Sequence, residues 1–135
     1  MTASINETTP MDSRRRRQLT LAVLSLFDKW HVADEQRLQM LGESADNTAL
    51  LQTLAEGGSL EADSEALQRA GHLLGIHRSL QQRYANSPRI VEEWIHCPNS
   101  LTNNQAPIEW LCLKNIDGVQ RVHKLVEAQF GGGWS

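Results

Sequence analysis

The sequence predicts an all-α protein: a helix-turn-helix-like N-terminal module, a linking helix and a small helical C-terminal module. Three features carry that prediction. Apolar residues recur at helical spacing, as in Leu19, Val23, Leu26, Phe27 and Trp30, and strand-like alternation appears nowhere. Glycines and prolines stand where helices should stop and start: Gly42 and the pair Gly57 and Gly58 follow apolar runs, while Pro88 and Pro107 precede them. A chain of 135 residues with 40% hydrophobic content can bury one core, or two small helical modules that share one, but not two independent large domains.

Residues 1–12 have too little apolar surface to fold alone, and Arg14, Arg15, Arg16 and Arg17 follow at once. Residues 1–17 are therefore expected to be a disordered basic arm. An arginine run at a helix start opposes the helix dipole. It reads either as an arm reaching nucleic-acid phosphates or the minor groove, or as a solvated tail. Residues 18–60 form the helix-turn-helix-like module. Its first helix buries the stripe from Leu19 to Trp30, and His31, Val32 and Ala33 break the pattern. Asp34 is placed to cap a second helix running to Leu41, which Gly42 stops. A third helix is expected from Asp46 to Glu56, with Leu50, Leu51 and Leu54 inward. Two short helices joined around a glycine after a longer one read as helix-turn-helix. On the third helix Asn47, Thr48 and Gln52 are of types that read base edges. It carries no lysine or arginine, and Asp46 and Glu56 repel phosphates. DNA contact there would need the arginine arm and a dimer to supply charge.

Residues 61–86 form the linking helix, with Ser64 as its cap. Leu67, Ala70, Leu74, His77, Leu80 and Tyr84 lie on one side, with Leu73 and Ile76 beside them. Gly71 and Gly75, four apart, each cost about 1 kcal/mol relative to alanine in a helix. They imply a surface that a neighbouring helix approaches closely, and a homodimer contact there is compatible with the sequence. Residues 87–135 form the C-terminal module. Pro88 opens a helix, Pro98 to Gln105 has the composition of an ordered loop, Pro107 opens a short helix, and a longer helix follows. Trp94 and Trp110 sit on amphipathic helices, where core burial is the commoner role. Trp134 follows Gly131, Gly132 and Gly133 and precedes Ser135; an aromatic in such a tail reads as an anchor that orders on a partner, or folds back. Large aromatics beside a rigid loop suit a binding surface better than a reaction centre.

A net charge of -3 marks neither a nucleic-acid nor a membrane protein globally. No apolar run spans a membrane and no secretory leader precedes the first helix, so the expected address is the cytoplasm, with no membrane partner. Cys97 and Cys112 form no spaced cluster and are expected to be reduced thiols. The histidines are His31, His72, His77, His96 and His123. None has zinc-motif spacing, although Cys97, Cys112 and His123 could meet in space, and neither a metal nor a cofactor is expected. His77, on an apolar face, reads as a satisfied core residue. There is no nucleophile elbow, framed carboxylate pair or phosphate loop, so the chain is expected not to be an enzyme and to take no small-molecule substrate.

Several segments resemble the Xre/MbcA/ParS antitoxins of bacterial toxin-antitoxin modules, over roughly residues 18–135. Trp94 and Ile95 before Pro98 and Asn99 are similar to that family's toxin-binding segment. So are Pro107-Ile108-Glu109-Trp110-Leu111, Gly118 with Val122 and Leu125, and the ending Gly131-Gly132-Gly133-Trp134-Ser135. Leu73-Leu74-Gly75-Ile76-His77 resembles its linking helix, and Trp30 with Leu41 and Gly42 its Cro-like DNA-binding part. The resemblance implies a homodimeric antitoxin of a type II module. Its C-terminal domain would inhibit a cognate RES-domain toxin, one that degrades NAD or transfers ADP-ribose, by covering the active-site cleft. Its N-terminal part would bind operator DNA. By residue match, toxin contact falls on Trp94, Asn99, Pro107, Trp110, Gly131, Gly132, Gly133, Trp134 and Ser135. On the chemistry of the arginine run and of the third helix given above, and not by residue match, DNA contact falls on Arg14, Arg15, Arg16, Arg17, Asn47, Thr48 and Gln52. Where the family's loop carries glycines this chain has Asn103 and Asn104, and asparagine enters the left-handed region more readily than other side chains. The alternatives are a transcriptional regulator acting through DNA alone, and a helical adaptor for another protein.

Overall fold

The computed structural model describes residues 3–130, with side chains from Ser13 to Phe130. Seven α-helices follow in order among them: α1 (Ala3–Lys29), α2 (Asp34–Met40), α3 (Thr48–Ala55), α4 (Glu65–Arg83), α5 (Pro88–Glu93), α6 (Pro107–Leu111) and α7 (Asp117–Phe130). Two 3-10 turns, Trp94–His96 and Ser100–Thr102, lie between α5 and α6. The described residues contain no strand, only an isolated bridge between Asn99 and Gln105. The all-α prediction holds.

The first three helices end alike, by doubly hydrogen-bonded reversals with a left-handed residue just past the helix. After α1, His31 (φ 55°) takes that position, and the amides of His31 and Val32 donate back to Asp28 and Phe27 carbonyls. After α2 it is Gly42 (φ 79°), with Gly42 and Glu43 amides returning to Gln39 and Leu38. After α3 it is Gly57 (φ 125°), with Gly57 and Gly58 returning to Leu54 and Thr53. The two glycine stops were read from sequence. Ser64 caps α4 by accepting from the Leu67 amide at 3.1 Å, and Pro88 and Pro107 open α5 and α6 as expected.

One core serves both modules. Val23, Leu26 and Phe27 of α1 and Trp30 just past it share one cluster with Ala70, Leu73, Ile76 and Leu80 of α4, and the same cluster continues into Ile95, Leu111, Val119, Val122 and Val126. Helix α4 lies centrally, packing most extensively on α7 and then on α1. Gly118 lets α7 approach α6: a Cβ there would stand 2.3 Å from the Trp110 carbonyl oxygen. Arg69 of α4 is completely buried. Its guanidinium pairs with Glu65 at 2.7 Å and donates to the carbonyls of Gln39 (3.3 Å), Leu113 (3.1 Å) and Lys114 (2.5 Å). One side chain thus ties the C-terminal ends of α2 and α6 to the linking helix.

Three expectations are corrected. Residues 3–17, expected within a disordered arm, are helical and belong to α1. Arg16 donates to the Leu60 carbonyl at 3.0 Å, and Arg17 to those of Leu54 (3.0 Å) and Gly58. These carbonyls lie at and beyond the C-terminus of α3, where a cation also meets the negative end of the dipole. The second helix is preceded by Ala33, not capped by Asp34; Asp34 and Glu35 instead place acids in its first turn. The third helix is shorter than Asp46 to Glu56 because its ends are taken by Asn47 and by the reversal at Gly57. The close approach expected at Gly75 is made by α7 of the same chain, whose His123 ring fills the space. A Cβ at Gly71 would meet nothing within 4 Å.

Candidate functional site

The C-terminal module presents a stiffened loop beside a half-buried tryptophan. Asn99 organises the loop: its side chain accepts from the Leu101 amide at 2.9 Å, and its carbonyl accepts from the Asn104 amide at 2.8 Å. Thr102, buried, donates its hydroxyl to the Gln105 carbonyl at 2.6 Å. Asn103 and Asn104 both occupy the left-handed region, with φ of 58° and 64°. Two asparagines therefore take up the reversal that glycines would make, at a steric cost lower than other side chains incur.

Trp110 is half-buried, and its indole N–H donates to Gln105 Oε1 at 2.6 Å, joining α6 to the loop. The Arg121 guanidinium of α7 lies over the indole, 5.8 Å from the ring centroid, a cation–π geometry. Leu113, one turn on from Trp110, leaves 50% of its surface to solvent. Gln105, Trp110, Leu113 and Arg121 thus make one mixed patch of the kind that anchors protein interfaces. Leu113 and Arg121 were missed in the sequence, because exposure of a leucine and the stacking of an arginine are tertiary facts.

Other expected contact residues sit elsewhere. Trp94 is buried, its ring edge-on to Phe130 at 6.2 Å, and Phe130 in turn meets Tyr84 at 5.8 Å. Pro107 is also buried. Both support the loop and the end of α7 rather than offering surface. Gly131, Gly132, Gly133, Trp134 and Ser135 lie outside the described residues.

In the N-terminal module Asn47, Thr48 and Gln52 all lie on the exposed side of α3, where a base-reading side chain must be. Gln52 is engaged with Glu56 at 3.1 Å along that face. The arginines are not gathered around these residues. Arg16 and Arg17 are fixed at the C-terminal end of α3, while Arg14 and Arg15, immediately before them on α1, are exposed. Asn47 and Thr48 stand at the opposite end of α3 from the Leu54 carbonyl that Arg17 holds, about 10 Å along a helix rising about 1.5 Å per residue, whereas Gln52 lies within a turn of it.

Cys97 and Cys112 are free thiols. Burial pushes the Cys112 thiol up to about 11, against an opposing effect of Arg69. Cys97, Cys112 and His123 do not gather: among the described residues no group of three or more histidines, cysteines or carboxylates could hold a metal ion. His77 is not the satisfied core residue expected. Both ring nitrogens are buried without a hydrogen-bond partner, and the ring stands edge-on to Trp30, whose indole N–H is likewise unpartnered. Its pKa is lowered by burial first and by the Lys29 charge second, while Glu92 acts the other way. A cleft of about 390 Å³ opens beside it, lined by Lys29, Gln81, Tyr84, Pro88, Val91 and Glu92. No described helix is long and apolar enough to cross a membrane. No protein-family model matches the chain, and no curated protein matches its sequence.

Proposed function

We propose that this chain is the antitoxin of a type II toxin-antitoxin pair, binding a RES-domain toxin through its C-terminal module and excluding NAD from the toxin's cleft. The observation that carries the reading is the patch of Gln105, Trp110, Leu113 and Arg121, a desolvatable aromatic-cation surface held on a loop that its own hydrogen bonds make rigid. A preorganised loop loses little entropy on binding, which favours affinity. Inhibition on this reading is steric: the loop and the last five residues cover the cleft, and this chain performs no chemistry. Its compartment in the proposal is the cytoplasm, where the toxin meets NAD.

The same proposal includes repression of the operon by a homodimer through α3. Its support is the exposure of Asn47, Thr48 and Gln52; Arg14 and Arg15 supply phosphate contacts, and Arg16 and Arg17 act indirectly by fixing α3. Action through DNA alone is the rival reading, and the acids at both ends of the third helix weigh against it.

The test is co-expression with the product of the adjacent reading frame, followed by isolation of the complex. Trp110→Ala and Arg121→Glu are each expected to weaken the complex at least tenfold while the melting temperature of the free protein changes by only a few degrees. Retention of full affinity in both variants removes the patch from the interface.

A further inference from the structure

Among the described residues, one close meeting of imidazoles has a fold feature built around it. His72 of α4 and His123 of α7, 51 residues apart, bring their Nδ1 atoms to 2.8 Å, with ring centroids 5.0 Å apart and planes at 69°. Both rings are half-buried. Two imidazole lone pairs repel at that distance, so one ring donates an N–H to the lone pair of the other, and loss of that proton leaves two nitrogen ligands facing each other. The placement of His123 depends on Gly75, whose added Cβ would lie 2.3 Å from the His123 Nε2 atom and 2.6 Å from its Cε1. A glycine inside a helix is unfavourable, and among the described residues the group occupying the space it leaves is this imidazole.

We propose that His72 and His123 form a two-imidazole clamp for a borderline divalent cation of the zinc class. Imidazole nitrogen suits zinc, nickel and copper. Zinc–nitrogen bonds of about 2.0–2.1 Å at a tetrahedral angle put ligand nitrogens about 3.3 Å apart. The rings therefore have to part by about half an ångström from their hydrogen-bonded separation, which rotation of two half-buried side chains supplies. No third side chain joins them among the described residues, so water completes the coordination and affinity is modest. The ion crosslinks the linking helix to the last helix, and because the two ligands are far apart in sequence it binds the folded chain in preference to the unfolded one. This inference does not depend on the antitoxin reading.

The experiment is a calorimetric titration of the untagged full chain with Zn²⁺, alongside long-range ¹H–¹⁵N spectra of the histidine rings. One ion per chain is expected, with the Nδ1 resonances of His72 and His123 moving and the melting temperature rising by several degrees at saturation. His72→Gln and His123→Gln each weaken binding at least tenfold. Gly75→Ala, which keeps both ligands but displaces one ring, does the same, whereas His31→Gln leaves binding unchanged. Should any variant fail to keep its helical content, the remaining variants and the wild-type spectra decide. Absence of saturable binding, or binding that survives loss of both His72 and His123, overturns the clamp.

Discussion

Replacing Arg69 with methionine removes the guanidinium while keeping an unbranched side chain of similar reach. Four interactions disappear: the ion pair to Glu65 and the bonds to the Gln39, Leu113 and Lys114 carbonyls. The Glu65 pair contributes little by itself, because that carboxylate is half exposed and such pairs stabilise by about 0–1 kcal/mol. The carbonyls weigh more. Each acceptor left without a partner costs about 1–3 kcal/mol if water cannot reach it. Leu113 and Lys114 are exposed residues, so water recovers part of that. A loss of about 3–5 kcal/mol follows from the acceptors left without a partner. For a domain of this size, 1 kcal/mol shifts the melting temperature by about 3.5 °C, so the expected drop is about 10–18 °C. Urea denaturation of wild type, Arg69→Met and Glu65→Gln measures it, with Glu65→Gln expected within about 1 kcal/mol of wild type. If Arg69→Met also stays within that margin, the carbonyl bonds do not hold the modules together.

Three further outcomes are expected. His77 has a folded pKa below its unfolded value, so its neutral form contributes stability that is present above about pH 6.5 and lost as pH falls from there through the lower folded value. His77→Leu should therefore gain on wild type progressively from pH 7 to pH 5 in denaturation curves, and a constant difference between the two would refute the assignment. Iodoacetamide at pH 8 should label exposed Cys97 and leave Cys112, with its thiol held at about 11, unmodified until urea is added; mass spectrometry of the native protein showing two adducts contradicts this. Gly118→Ala drives a Cβ against the Trp110 carbonyl and should destabilise by about 1–3 kcal/mol, read as a lower urea midpoint. An unchanged midpoint shows that α6 and α7 yield freely.

Local rules made the helix starts and stops legible. Ser64, Gly42, Gly57, Pro88 and Pro107 act through backbone hydrogen bonds or φ preferences within a few residues, and each behaved as its chemistry requires. His31 in the left-handed region was not legible as a stop, since only the surrounding reversal pins it there. The arm was misread for a related reason. The carbonyls that hold Arg16 and Arg17 belong to residues 37 to 44 positions away, so no local signal placed those arginines in a helix. Arg69 was readable in part: it falls in the buried stripe of Ala66, Arg69, Leu73, Ile76 and Leu80, and a charged residue in such a stripe demands partners. The glycines of α4 were rightly given a packing role: at Gly75 the helix that approaches closely is α7, which seats His123 there. Within the candidate surface, burial of Trp94 agrees with the core role that an amphipathic helix makes commoner, whereas burial of Pro107 depends on how α5 to α7 converge.

The most direct measurement is cellular NAD and growth on co-expression of the adjacent gene product with this chain, intact or lacking residues 131–135. The antitoxin account predicts that the intact chain preserves NAD and growth and that the shortened chain, still folded, does not. Loss of NAD in the presence of abundant intact chain, or no association between the two proteins, contradicts it.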